Sequence, residues 1–99
     1  MLVVTGVTRI AETDAPAARA AAAKVAALTR TEDGCFTYAF YEDVEVPGRF
    51  RVYEEWRDEA ALRAHLATAH IAEFREVIGG LEVLERDIKM LKGCTEEPL

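Results

Sequence analysis

The 99-residue sequence contains no serine, no asparagine and no glutamine. That excludes a serine nucleophile and every hydrolase built on one, together with any mechanism that needs a side-chain amide. Cysteine is almost as scarce. Cys35 and Cys94 are the only two, and neither belongs to a C-x-x-C pair. A disulfide scaffold and a cysteine-ligated zinc site are both unsupported, and free thiols point to a cytoplasmic protein. Basic residues are the minority, 12 against 18 acidic, for a net charge of −6. Without a dense Lys/Arg cluster, neither a nucleic-acid backbone nor an anionic membrane is an expected partner. No apolar run approaches the ~18 residues of a membrane span. The N-terminal Leu2-Val3-Val4-Thr5 lacks a basic flank and reads as a strand, not a signal peptide.

The chain has the length of one domain, expected over residues 1–92, with residues 93–99 a polar tail. Leu2 to Ile10 is rich in Val, Thr and Ile and reads as a first strand. Thr13-Asp14-Ala15-Pro16 supplies an N-cap candidate and a first-turn proline for a helix reaching about Thr31. Much of the chain's 17 alanines lie in that helix, and small side chains let it lie close on a sheet. Gly34 breaks it. Cys35 to Tyr41 is β-prone, a turn-rich stretch around Asp43 to Gly48 makes a hairpin loop, and Phe50 to Trp56 is a third strand. Asp58 can cap a second helix, on which Leu62, His65, Leu66 and Ala69 form one stripe. Ile71, Phe74 and Ile78 continue the period to Gly79-Gly80, and Leu81 to Leu91 is a fourth strand. The order β-α-β-β-α-β predicts an α+β, ferredoxin-like sandwich with an antiparallel sheet. Neither face of strand two reads as solvated, so a second subunit is expected on the open face, giving a homodimer with stacked sheets.

Each residue that carries chemistry has a structural reading beside its functional one. Cys35 is a buried thiol or a reactive one, with no basic neighbour in sequence to activate it. Tyr38 is a core aromatic or a pocket donor. Alternation places Phe50, Val52, Glu54 and Trp56 on one face. Glu54 there is either paired with an arginine or backbone N–H groups, or a polar anchor at the rim of an apolar pocket. Trp56, ending its strand before the helix cap, is core or cavity wall. His65 within an apolar stripe is a satisfied core histidine or a base. Five residues at 100° each put His70 about 140° around a continuous helix from His65, so the pair is not expected to share a metal, and no metal site is expected.

Glu32-x-Gly34-Cys35-x-x-Tyr38, then Glu54-x-Trp56, then Ala64-His65-x-x-Thr68-x-His70 form an ordered series. It resembles the antibiotic biosynthesis monooxygenase family, which includes small quinol monooxygenases, over about Val3 to Met90. The resemblance implies a ferredoxin-like fold assembled as a dimeric α/β barrel. It implies a monooxygenase acting with O₂ on a small planar hydroquinone, phenol or anthrone, without metal or flavin. In such a reaction Trp56 would stack on the substrate, with Val52, Glu54 and Leu62 completing the pocket. His65 would serve as base, and Tyr38 or Arg9 would donate to the developing oxyanion. Two rivals are a non-catalytic dimeric binding or stress-response module and an isomerase of small carbonyl compounds. Haem degradation is disfavoured, because relatives that degrade haem use a strand-one asparagine and this chain has none.

Overall fold

A computed structural model describes all 99 residues. The elements are β1 (Leu2–Ile10), α1 (Ala15–Thr29), β2 (Cys35–Glu42), β3 (Arg49–Trp56), α2 (Glu59–Leu66), α3 (Ala69–Gly79) and β4 (Val83–Leu91), with a 3₁₀ turn at Glu12–Asp14. The four strands form one antiparallel sheet in the order β2-β3-β1-β4. All helices lie on one face, which makes this the expected α+β ferredoxin-like fold.

Strand alternation decides the two faces of the sheet. Leu2, Tyr38, Val52 and Trp56 point under the helices and pack with Val25 and Ala26 of α1, Ala61 and Leu62 of α2, and Ile71 of α3. Helix α1 buries Ala15, Ala18, Ala22, Val25 and Ala26; Val25 and Ala26 join that core, and Ala18 packs with Ile10 and Phe50 in a smaller cluster. A methyl group at most of these positions lets the helix backbone come close to the strands.

Local chemistry explains most element ends. Asp58 caps α2, its carboxylate accepting from the Ala61 N–H at 2.9 Å. Gly34 has φ +80°, a backbone conformation that favours glycine at the turn into β2. The start of α1 differs from expectation. Its capping residue is Asp14, whose side chain caps nothing in the helix. It accepts instead from the Glu82 N–H at 2.9 Å and ties the helix start to the entry of β4.

Two irregularities redirect side chains. A bulge lies between Cys35 and Thr37, and it defeats simple alternation. Cys35 and Tyr38 both pack on the covered face, while Phe36 is left 60% exposed. The second is a break between α2 and α3. Ala67 ends α2, Thr68 adopts extended dihedrals, and its side chain caps α3 through the Ile71 N–H. The Thr68 hydroxyl also donates to the His65 carbonyl at 2.8 Å, which locks the angle between the two helices. No helix is long and apolar enough to cross a membrane.

Candidate active site

Between the covered sheet face and α2–α3 lies a cavity of about 570 Å³. β2 supplies Tyr38 and Phe40, β3 supplies Val52 and Glu54, α2 supplies Leu62 and His65, and α3 supplies Phe74 and Ile78. Arg75 of α3 and Arg86 of β4 also reach it. An apolar concavity of this size with a few convergent polar groups is the usual form of a small-molecule site.

His65 is 2% exposed and held from two sides. Its Nδ1 donates to Glu32 Oε2 at 2.8 Å. Its ring lies 4.9 Å from that of Trp56 and 5.4 Å from that of Tyr38, centroid to centroid. With the ring proton on Nδ1, Nε2 carries the lone pair, and His65 lines the cavity. A carboxylate fixing the tautomer of an imidazole that faces a reacting group is the orienter–base arrangement of acyl-transfer triads. Glu32 carries a second histidine. His70 Nε2 donates to the same Oε2 at 2.7 Å.

Glu54 is buried beside these groups and accepts from Trp56 Nε1 at 2.9 Å. Burial raises its carboxyl from an ordinary 4.5 to about 7; the indole N–H opposes this and the Glu32 charge adds to it. Burial also raises the Tyr38 phenol, with Glu54 adding to the rise, so Tyr38 stays a neutral donor. Its hydroxyl can donate to an oxyanion in the cavity.

The Glu54 shift has a consequence for stability. Between pH 4.5 and about 7 the folded chain holds a proton that the unfolded chain has released. Stability from this group is therefore full below pH 4.5 and lost as pH rises through about 7, a swing of about 3 kcal/mol. Glu54→Gln keeps an acceptor for Trp56 and removes the ionisation. Urea unfolding at pH 5 and pH 8.5 is expected to show the wild type losing about 3 kcal/mol more than the variant between the two. Parallel losses would mean that Glu54 ionises freely.

The structure brings His65, Tyr38, Glu54, Val52 and Leu62 to one cavity, as the sequence suggests. Two other residues lie elsewhere. Thr8 and Ile10 of β1 face the cavity, so Arg9 between them points to the opposite side of the sheet and is exposed. Arg75 and Arg86 are the guanidinium groups at the site. Trp56 is fully buried, at 0% exposure, under the first turn of α2 among Leu2, Val25 and Ala61. It backs His65 and Glu54 and is not a surface on which a ligand could stack. The reading that His65 and His70 cannot meet is also corrected. The break at Ala67-Thr68 restarts the helix on a new axis, so both rings reach Glu32. Glu32 is the partner that neither periodicity nor alternation indicates; its place in the E-x-G-C-x-x-Y run is the one local signal for it.

The fold and the site define a ferredoxin-like domain with an apolar ligand cavity and a carboxylate-held histidine in its wall. The sequence pattern of the antibiotic biosynthesis monooxygenase family matches residues 1–77, and the chain belongs to that family. Among curated relatives it is 39% identical over 64 residues to the uncharacterized protein sll1783 of Synechocystis, covering 65% of this chain and 44% of that one. It is 32% identical over 78 residues to the "Probable quinol monooxygenase YgiN" of Escherichia coli, covering 71% and 74%. YcnE of Bacillus subtilis is 34% identical, and the chain spans 65% of its length. A solved structure from Deinococcus radiodurans superposes with a TM-score of 0.92 at 26% identity, covering 100% of this chain and 98% of that one.

Proposed function

We propose that this protein is a monooxygenase that oxidises a small planar hydroquinone, or a related phenol or anthrone, with O₂ and without a cofactor. The observation that carries the reading is the cavity of about 570 Å³ into which His65 faces, its Nδ1 fixed by Glu32. The relative named as a quinol monooxygenase supports the substrate class. A homodimer joined through the open sheet face belongs to the same reading. It is supported by Tyr41, 60% exposed on the open face of β2 while Tyr38 on the other face is buried, and by Leu91, 43% exposed on the open face of β4.

The chemistry follows from the residues. The substrate hydroxyl gives its proton to His65 Nε2, leaving an electron-rich anion. Neutral Tyr38 and the cations Arg75 and Arg86 favour that charge in an apolar surround. The anion passes one electron to O₂. The substrate radical and superoxide then join through a C–O bond, and the peroxide takes back the proton. Loss of water from the hydroperoxide leaves one oxygen atom in the quinone product and one in water. Glu54, poised near neutrality, can relay a proton to that departing water.

The test is oxygen uptake with a panel of hydroquinones and anthrones, with chelator present and no flavin added. Uptake above the protein-free rate with at least one member is expected. No uptake with any of them, or uptake only after flavin or metal is supplied, would overturn the reading. Conversion of a carbonyl substrate without oxygen use would favour the isomerase instead.

A further inference from the structure

We propose that Glu32, His65 and His70 form a binding site for a divalent transition-metal ion of the Zn²⁺ type. The two imidazole nitrogens and the carboxylate oxygen lie within 4.8 Å of one another. Each nitrogen already points at the same Glu32 oxygen, at 2.8 and 2.7 Å. A tetrahedral Zn²⁺ with bonds of about 2.0–2.1 Å places its ligand atoms about 3.3 Å apart. The three atoms therefore need to shift by less than about 1 Å each, with the nitrogens closing and the oxygen backing away.

The donor set selects the ion. Two imidazoles and one carboxylate suit Zn²⁺ and its neighbours in the first transition row, whereas Mg²⁺ and Ca²⁺ take oxygen ligands. Three protein ligands leave a fourth position for water. Entry is available from the surface, since the His70 and Glu32 side chains retain 20% and 14% of their exposure while His65 forms the inner wall. The break between α2 and α3 is what makes the site. A continuous helix would have turned His70 away from His65.

Binding there would act on the cavity without entering it. An ion on His65 Nδ1 displaces the proton from that nitrogen to Nε2. Nε2, the nitrogen not held by Glu32, then becomes an N–H donor and can no longer accept a substrate proton. The ion is thus an inhibitor of the base proposed above; that consequence rests on the proposed reaction, while the binding itself does not.

Metal-free protein titrated with Co²⁺, as a coloured stand-in for Zn²⁺, tests the site without any substrate. A visible d–d band saturating at one equivalent and abolished by Zn²⁺ is expected. His70→Ala and Glu32→Gln should each weaken Co²⁺ binding at least tenfold. The double variant Cys35→Ala/Cys94→Ala should bind as the wild type does. His70 lies at the surface end of the site, its side chain 20% exposed, so its variant is expected to fold, and a thermal melt by circular dichroism checks that. Absence of the band at millimolar Co²⁺, equal affinity in His70→Ala, or loss of binding in the cysteine variant would each overturn the site. If the protein turns over quinols but gives no band, only this site falls; if the band appears without turnover, only the proposed reaction falls.

Discussion

Replacing His65 by alanine is expected to lower kcat for a hydroquinone about 10²–10⁴-fold, the usual cost of removing a positioned base. KM should change far less, because Tyr38, Phe40, Val52 and Leu62 still line the cavity. The variant should remain folded: Glu32 keeps its hydrogen bond from His70, and no charge is left without a partner. Glu32→Gln separates orientation from proton transfer. It leaves the imidazole in place but removes the carboxylate that fixes its tautomer, so it should lose a smaller part of the same kcat, again with little change in KM. Steady-state oxygen uptake, with folding checked by circular dichroism, measures both. Equal rates for wild type and His65→Ala would remove His65 as base and leave Glu54 as the next candidate.

Trp56→Ala should cost about 3–5 kcal/mol of stability. That is a large part of the 5–15 kcal/mol by which domains of this kind are stable. The indole is fully buried. Its loss would open a void among Leu2, Val25, Ala61 and Leu62 and remove the only side-chain donor to Glu54. Trp56→Phe keeps most of the packing but leaves the Glu54 oxygen without its partner, so a smaller loss is expected, about 1–3 kcal/mol. Urea midpoints give both values. Because the ring is not in the cavity wall, KM measured on folded Trp56→Phe should stay near wild type. A wild-type midpoint with a much raised KM would put the indole back against the substrate.

How much of this was legible in the sequence differs from one feature to the next. The strands and helices were, because Val- and Thr-rich alternation, Asp58 as a cap and Gly34 as a turn are local signals. The faces of β3 were too, since strict alternation sends Val52, Glu54 and Trp56 under the helices. What alternation could not supply was the bulge beside Phe36, which moved Cys35 to the covered face. In β1 the same parity puts Thr8 and Ile10 under the helices and leaves Arg9 outside. The meeting of His65 and His70 was hidden for a different reason. It depends on one threonine, Thr68, competing successfully with helix continuation, and periodicity within a helix carries no information about a change of axis. Glu32 was hidden because its partners are 33 and 38 residues away. The depth of Trp56 was open to neither rule, since face alone does not distinguish the wall of a cavity from the packing behind it.

Turnover under ¹⁸O₂ tests the central claim most directly. Chelator-treated protein supplied with a hydroquinone or anthrone that it consumes is expected to place one labelled oxygen atom in the product and the other in water, read by the mass of each. Product that forms without label, with both oxygen atoms leaving as hydrogen peroxide or with no oxygen used at all, would contradict it.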